Sequence, residues 1–150
     1  MPALKPEEIT ALGVVFSSHA MDNGETRHRV LRQGYGYILT IMPPDGGGWQ
    51  NSHYHKEIKE QYTVQEGWIC YACLVPGGNN GGVSFKIYTA GQTFTTGTEP
   101  HNVYMPGGAV IHTVKHGMTS LEKDWFPSPE LDLLTKEVSE NELRRRIACG

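Results

Sequence analysis

The sequence predicts an all-β domain, a sandwich or barrel of short strands, followed by a C-terminal α-helix. Three observations carry this. Eighteen glycines and nine prolines in 150 residues supply many turns. Short β-branched and aromatic runs alternate with Gly, Pro, Asn and Asp clusters from residue 14 to residue 115, the pattern of a sandwich or barrel. Beyond Pro127 and Pro129 the apolar spacing becomes helical: Leu131, Leu134 and Val138 stand at i, i+3 and i+7.

The length is that of one domain with a real core. A net charge of −3 and a pI of about 6.1 give no reason to expect nucleic acid or an anionic membrane as partner. No apolar run approaches the length of a membrane span. The first twenty residues lack a basic region and a long apolar core, so no secretory leader is expected there and a cytoplasmic location is.

Taken in order, residues 6–11 suggest a helical turn. Residues 35–42 (YGYILTIM) form a strand stopped by PPDGGG. A strand over 53–64 follows, then a turn at 65–67 and a strand over 68–75. The cluster PGGNNGG at 76–82 is the strongest turn signal in the chain. Strands are expected at 83–88, 93–95, 101–105 and 110–115, and a single amphipathic helix over 129–148. The arginines at 144–146 lie where the helix dipole favours positive charge, a solvated or dimer-facing helix end. Cys70 and Cys73 form a CxxC. Residues three apart on a strand face opposite ways, so the two thiols are expected to diverge and pack as small apolar groups rather than act as a redox pair.

The chemistry is concentrated in residues 47–67. His53 and His55 are two apart, so on a strand both imidazoles face one side and Tyr54 the other. With Glu60 they offer two nitrogens and a carboxylate oxygen, a set that suits iron, manganese, nickel, zinc or copper. Three protein ligands with room left over describe a working site better than a closed structural one.

Gly47, His53, His55, Glu60 and Gly67 match the first sequence motif of the cupin superfamily at every fixed position. The chain therefore resembles a small single-domain metal-binding cupin. The resemblance implies a jelly-roll-like barrel with an N-terminal arm and first strands at 1–34, the barrel at 35–126 and the C-terminal helix at 127–150. It also implies a second motif whose histidine completes a metal site for Fe, Zn, Mn or Ni. Two alignments compete. One uses Gly91 and Gly97 and places His101 in the site; the other uses Pro106 and Gly108 and places His112 there. Each carries one extra residue, and strand order favours His101. The expected ligands are then His53, His55, Glu60 and His101, with His112 on the next strand as a catalytic or substrate-contacting group. Tyr62, two residues beyond Glu60, is the expected inward tyrosine and proton-transfer group.

A metal with open positions implies either Lewis-acid chemistry, as in an isomerase, epimerase or lyase, or an Fe(II) dioxygenase. The expected substrate is a small polar metabolite. Residues 99–117 resemble small cupins that modify carbohydrates and nucleotide-sugars, which points to a sugar derivative. A non-catalytic ligand-binding module is the alternative. Cupin barrels pair through strand edges or terminal segments, so a homodimer is expected.

Overall fold

The computed structural model describes residues 1–33, 35–76, 82–117 and 123–148. Most of the expected 76–82 turn, and Cys149, lie outside them. Among the described residues, twelve strands form two antiparallel sheets. The first sheet holds β1 (Val15–Ala20), β2 (Thr26–Arg32), β3 (Tyr35–Ile41), β6 (Lys59–Glu66), β9 (Thr93–Thr95) and β11 (Val110–His116). Its order is β1-β2-β3-β11-β6-β9. The second holds β4 (Gly47–Trp49), β5 (His53–Tyr54), β7 (Trp68–Leu74), β8 (Val83–Thr89), β10 (His101–Pro106) and β12 (Phe126–Pro127). Its order is β12-β5-β10-β7-β8, with β4 also on β10. Alternation along the strands sends one face of each sheet inward. Met42, Tyr62, Val64, Ile69, Val103, Met105 and Ile111 meet there as the interior core.

The expected strand over 53–64 is broken. β5 ends at Tyr54, and β6 begins at Lys59 in the other sheet. The Asp124 carboxylate causes the break by accepting the backbone N–H groups of Lys56, Glu57 and Ile58 at 2.8, 2.8 and 2.7 Å. Those donors would otherwise seek a neighbouring strand. Burial alone would raise the Asp124 carboxyl; the three N–H groups outweigh it and hold it below its ordinary value. Two glycines frame the segment. Gly67 turns the chain from β6 to β7 with φ +73°, a left-handed conformation that favours glycine. Gly47 has φ +151°, and a Cβ there would lie 3.3 Å from the Tyr104 hydroxyl.

The expected C-terminal helix is two helices, α2 (Pro129–Thr135) and α3 (Glu140–Ala148). Ser139 separates them. Its hydroxyl accepts the Glu142 N–H at 3.2 Å, an N-cap that starts a new helix. Both helices cover the outer face of the second sheet. Leu131 and Leu143 are fully buried against Trp49, Cys70, Ala72 and Tyr104, and the Trp49 indole donates to the Val138 carbonyl at 2.9 Å. Arg144 and Arg146 lie over the rings of Trp68 and Phe85 while pairing with Glu140 and Glu142. Two of the three arginines are therefore folded back onto their own barrel. A short helix α1 (Pro6–Ala11) precedes the sheets. No helix among the described residues is long and apolar enough to cross a membrane.

Cys70 and Cys73 face opposite sides, Cys70 under the helices and Cys73 against the interior core. Burial pushes the Cys70 thiol up to about 12 and raises Cys73 as well, which removes the thiolate that redox chemistry needs. Leu131→Ala is expected to destabilise the protein by about 2–4 kcal/mol, read as a lower urea midpoint at unchanged slope. A change below about 0.5 kcal/mol would mean that the helices do not pack on the barrel in solution.

Candidate metal centre

Four side chains from both sheets converge inside the barrel. His53 sits on β5, and His55 follows at its end. His101 opens β10, directly paired with His53. Glu60 faces them from β6 in the opposite sheet. All four are buried, and their ligand atoms lie within 4.8 Å of one another. The Nε2 atoms of His55, His101 and His53 stand 2.9, 3.3 and 3.7 Å from Glu60 Oε1. The break between β5 and β6 makes this possible, because it places His55 and Glu60 on facing walls instead of along one strand.

Backbone carbonyls fix the state of each imidazole. His53 Nδ1 bonds the Asn51 carbonyl at 2.9 Å, and His101 Nδ1 bonds the Glu99 carbonyl at 3.1 Å. His55 Nδ1 bonds the Asp124 carbonyl. A carbonyl only accepts, so Nδ1 carries the proton in all three rings and the neutral ring keeps its lone pair on Nε2. Three lone pairs and a carboxylate oxygen then face one point. Stacking holds two of the ring planes: Trp125 lies on His53 at 5.4 Å between centroids, and Tyr71 on His101 at 5.6 Å. The Tyr71 hydroxyl donates to Glu99 Oε1 at 2.9 Å.

Burial lowers the His53 pKa against the opposing pull of Glu60, which keeps that ring neutral. Burial alone would raise the Glu60 carboxyl. Its close contacts with His101, His53 and His55, with the Lys115 charge, hold it well below its ordinary value. Lys115 Nζ lies 3.3 Å from Glu60 Oε2, which leaves Oε1 to the histidines. The donor set fits a divalent transition ion: neutral imidazoles and one carboxylate, each oriented by a second partner.

A cavity of about 290 Å³ opens beside the cluster, with His53 and Glu60 in its wall. Tyr62 lines it, stacked on Phe94 at 5.0 Å. Burial, reinforced by the Glu60 charge, raises its phenol well above the ordinary value. Tyr62 therefore keeps its proton near neutral pH and can donate a hydrogen bond, not act as a base. His112, expected as a catalytic group, is outside the site. Ile111, Thr113 and Lys115 point inward on β11 and line the cavity. Alternation turns His112 to the outer face, where its ring bonds the Tyr37 hydroxyl and Gln65. His101 is the histidine that joins the other three groups.

Sequence reasoning missed the cationic wall. Arg27 and Arg29 share the inward face of β2 with Leu31, and Lys123 and Trp125 enter from the segment before β12. The alternation in TRHRVLR was the available signal, since charges spaced by two share a face. Asp124, which shapes the centre, had none.

No protein-family model matches the chain, and no curated protein matches it. Solved structures do. A variant oxalate decarboxylase from Bacillus subtilis is similar with a TM-score of 0.59 and 16% identity, over 86% of this chain and 37% of that one. The oxalate decarboxylase of Lactobacillus farciminis, solved as a formate complex, matches with a TM-score of 0.58 and 15% identity, over 89% of this chain and 39% of that one. A further Bacillus subtilis structure, described for its Mn(II) centres, has a TM-score of 0.57 and 16% identity over 86% and 37%. The chain thus spans well under half the length of these neighbours.

His101→Ala is expected to weaken Mn(II) binding by about 100-fold or more in calorimetric titration, and His112→Ala by less than about twofold. Equal losses in the two variants, or a larger loss in His112→Ala, would contradict this assignment of the centre.

Proposed function

The chain has the cupin fold of those oxalate decarboxylases, and from that fold we propose a metal-dependent enzyme acting on a small metabolite that presents polar oxygen atoms to the ion. The observation that carries the reading is the junction of a buried His₃Glu donor set with an adjoining cavity. A structural site has no need of a cavity. The Mn(II) centres named for a structural neighbour support Mn(II) as the ion and a Lewis-acid route of the lyase or isomerase type.

His53, His55, His101 and Glu60 would hold the ion. Bound there, it would polarise a carbonyl, carboxylate or hydroxyl oxygen of the substrate. The protein groups do the rest. Asn51, Glu99 and Asp124 keep the imidazoles aimed, so little reorganisation is needed on binding. Lys115 holds the free oxygen of Glu60. Arg27, Arg29 and Lys123 draw negative charge toward the cluster. Tyr62 presents a retained proton to the cavity. Trp125, flat against His53, screens that ring from water.

The test uses the protein reconstituted with Mn(II) and mixed with a panel of hydroxy acids, oxo acids and sugar acids, followed by proton NMR. The expected result is metal-dependent consumption of at least one component, abolished in His55→Ala. Stoichiometric ion with every component unchanged would overturn the enzyme reading in favour of a ligand-binding module.

A further inference from the structure

The donor cluster stands at the junction of two compartments. The first is the polar cavity just described, which Thr40, Gln50, Asn51 and Thr113 also line. The second, of about 480 Å³, has His55 in its wall, and Leu31, Tyr35, Ile38, Ile58 and Trp125 line it among charged and polar side chains. Arg29, Ile38, Lys115, Lys123 and Trp125 belong to both. A molecule held at the cluster therefore meets cationic side chains in both compartments and finds more apolar surface in the second.

The cations are organised. Arg27 Nε donates to Glu25 Oε1 at 2.5 Å. Glu25 is fully buried, and it also accepts from Asn23 Nδ2 at 2.9 Å and from Gln50 Nε2 at 3.1 Å. A buried carboxylate held by this many donors is fixed in place. The grip engages only the Nε edge of Arg27, so the terminal nitrogens, which suit a carboxylate in two-point contact, are not needed for it. Arg29 Nη1 donates to His19 Nδ1 at 2.9 Å, and burial, then the nearby Arg27 charge, lower the Arg29 pKa against the opposing pull of Glu25. The two compartments are lined by Arg27, Arg29, Arg32, Lys115 and Lys123 against Glu60 and Asp124. With Glu25 behind Arg27, that is five cations against three carboxylates, an excess of two positive charges before any metal ion.

We propose that the substrate is an amphipathic carboxylic acid: Arg27 and Arg29 read its carboxylate beside the cluster, and its apolar remainder lies against Leu31, Ile58 and Trp125. The inference rests on the metal-enzyme reading above and deepens it. A small diacid would fill the first compartment alone and leave the apolar surface of the second wet. An amphipathic acid removes that apolar surface from water and still satisfies the guanidinium groups.

Calorimetric titration of the Mn(II)-loaded protein tests this, using straight-chain carboxylates from acetate to octanoate, 1-octanol and oxalate. Affinity is expected to rise by up to about fourfold per buried methylene, placing octanoate roughly 30-fold or more above acetate. Octanoate should also bind more tightly than 1-octanol and oxalate. Arg27→Gln should weaken every acid by roughly tenfold and leave the increment per methylene intact, while Leu31→Asn should reduce that increment. The wild-type series is decisive by itself, and the metal content of each variant reports whether its centre is intact. Stoichiometric metal with a flat acid series, or with oxalate the tightest ligand, would overturn this inference alone. Failure of the wild-type protein to bind metal would contradict the metal-enzyme reading beneath it.

Discussion

The centre depends on three backbone carbonyls. Those of Asn51, Glu99 and Asp124 accept the Nδ1 protons of His53, His101 and His55, which leaves the Nε2 lone pairs directed at Glu60 Oε1. Each carbonyl belongs to a different part of the fold. Asn51 lies between β4 and β5, Glu99 just before β10, and Asp124 just before β12. The barrel is what brings these three segments to one point. Taking a carboxylate out of water costs roughly several kcal/mol, and Lys115 offsets part of that cost at Glu60 Oε2. A divalent ion shared among the four donors would offset the rest.

Asp124 has two duties at once. Its carboxylate takes the backbone donors of the β5–β6 break, and its carbonyl orients His55. The same residue therefore creates the geometry that separates His55 from Glu60 and the tautomer that makes His55 a donor. Glu25 has a parallel role on the other side of the cavity, where its buried carboxylate holds Arg27 by one edge. Both acids act through the groups they hold.

Much of this was legible in the sequence. The strands at 68–74, 83–89, 93–95, 101–106 and 110–116 fall within one or two residues of their expected bounds, because turn residues punctuate them and β-branched residues fill them. The pairing of His53 with His55 followed from spacing, while Glu60 and His101 rested on the resemblance to the two cupin motifs, with strand order choosing His101 over His112. What was not legible depends on partners distant in sequence. Nothing local says that Asp124 will cap residues 56–58 and break a strand. His112 looked eligible for the cavity because one face of a strand cannot be told from the other without its neighbours; β11 places Ile111, Thr113 and Lys115 inward and decides against it. The single C-terminal helix was a misreading of a local signal, since Ser139 with Glu142 is an N-cap pattern that the longer apolar periodicity concealed.

The central claim is that three imidazoles, fixed through Nδ1, present Nε2 to one ion with Glu60. Anomalous diffraction from crystals of the Mn(II)-loaded protein, collected at the manganese edge, tests it directly. The account predicts a single strong peak about 2.2 Å from Nε2 of His53, His55 and His101 and from a Glu60 carboxylate oxygen. A peak coordinated through any Nδ1, a peak elsewhere in the barrel, or no peak at this cluster would contradict it.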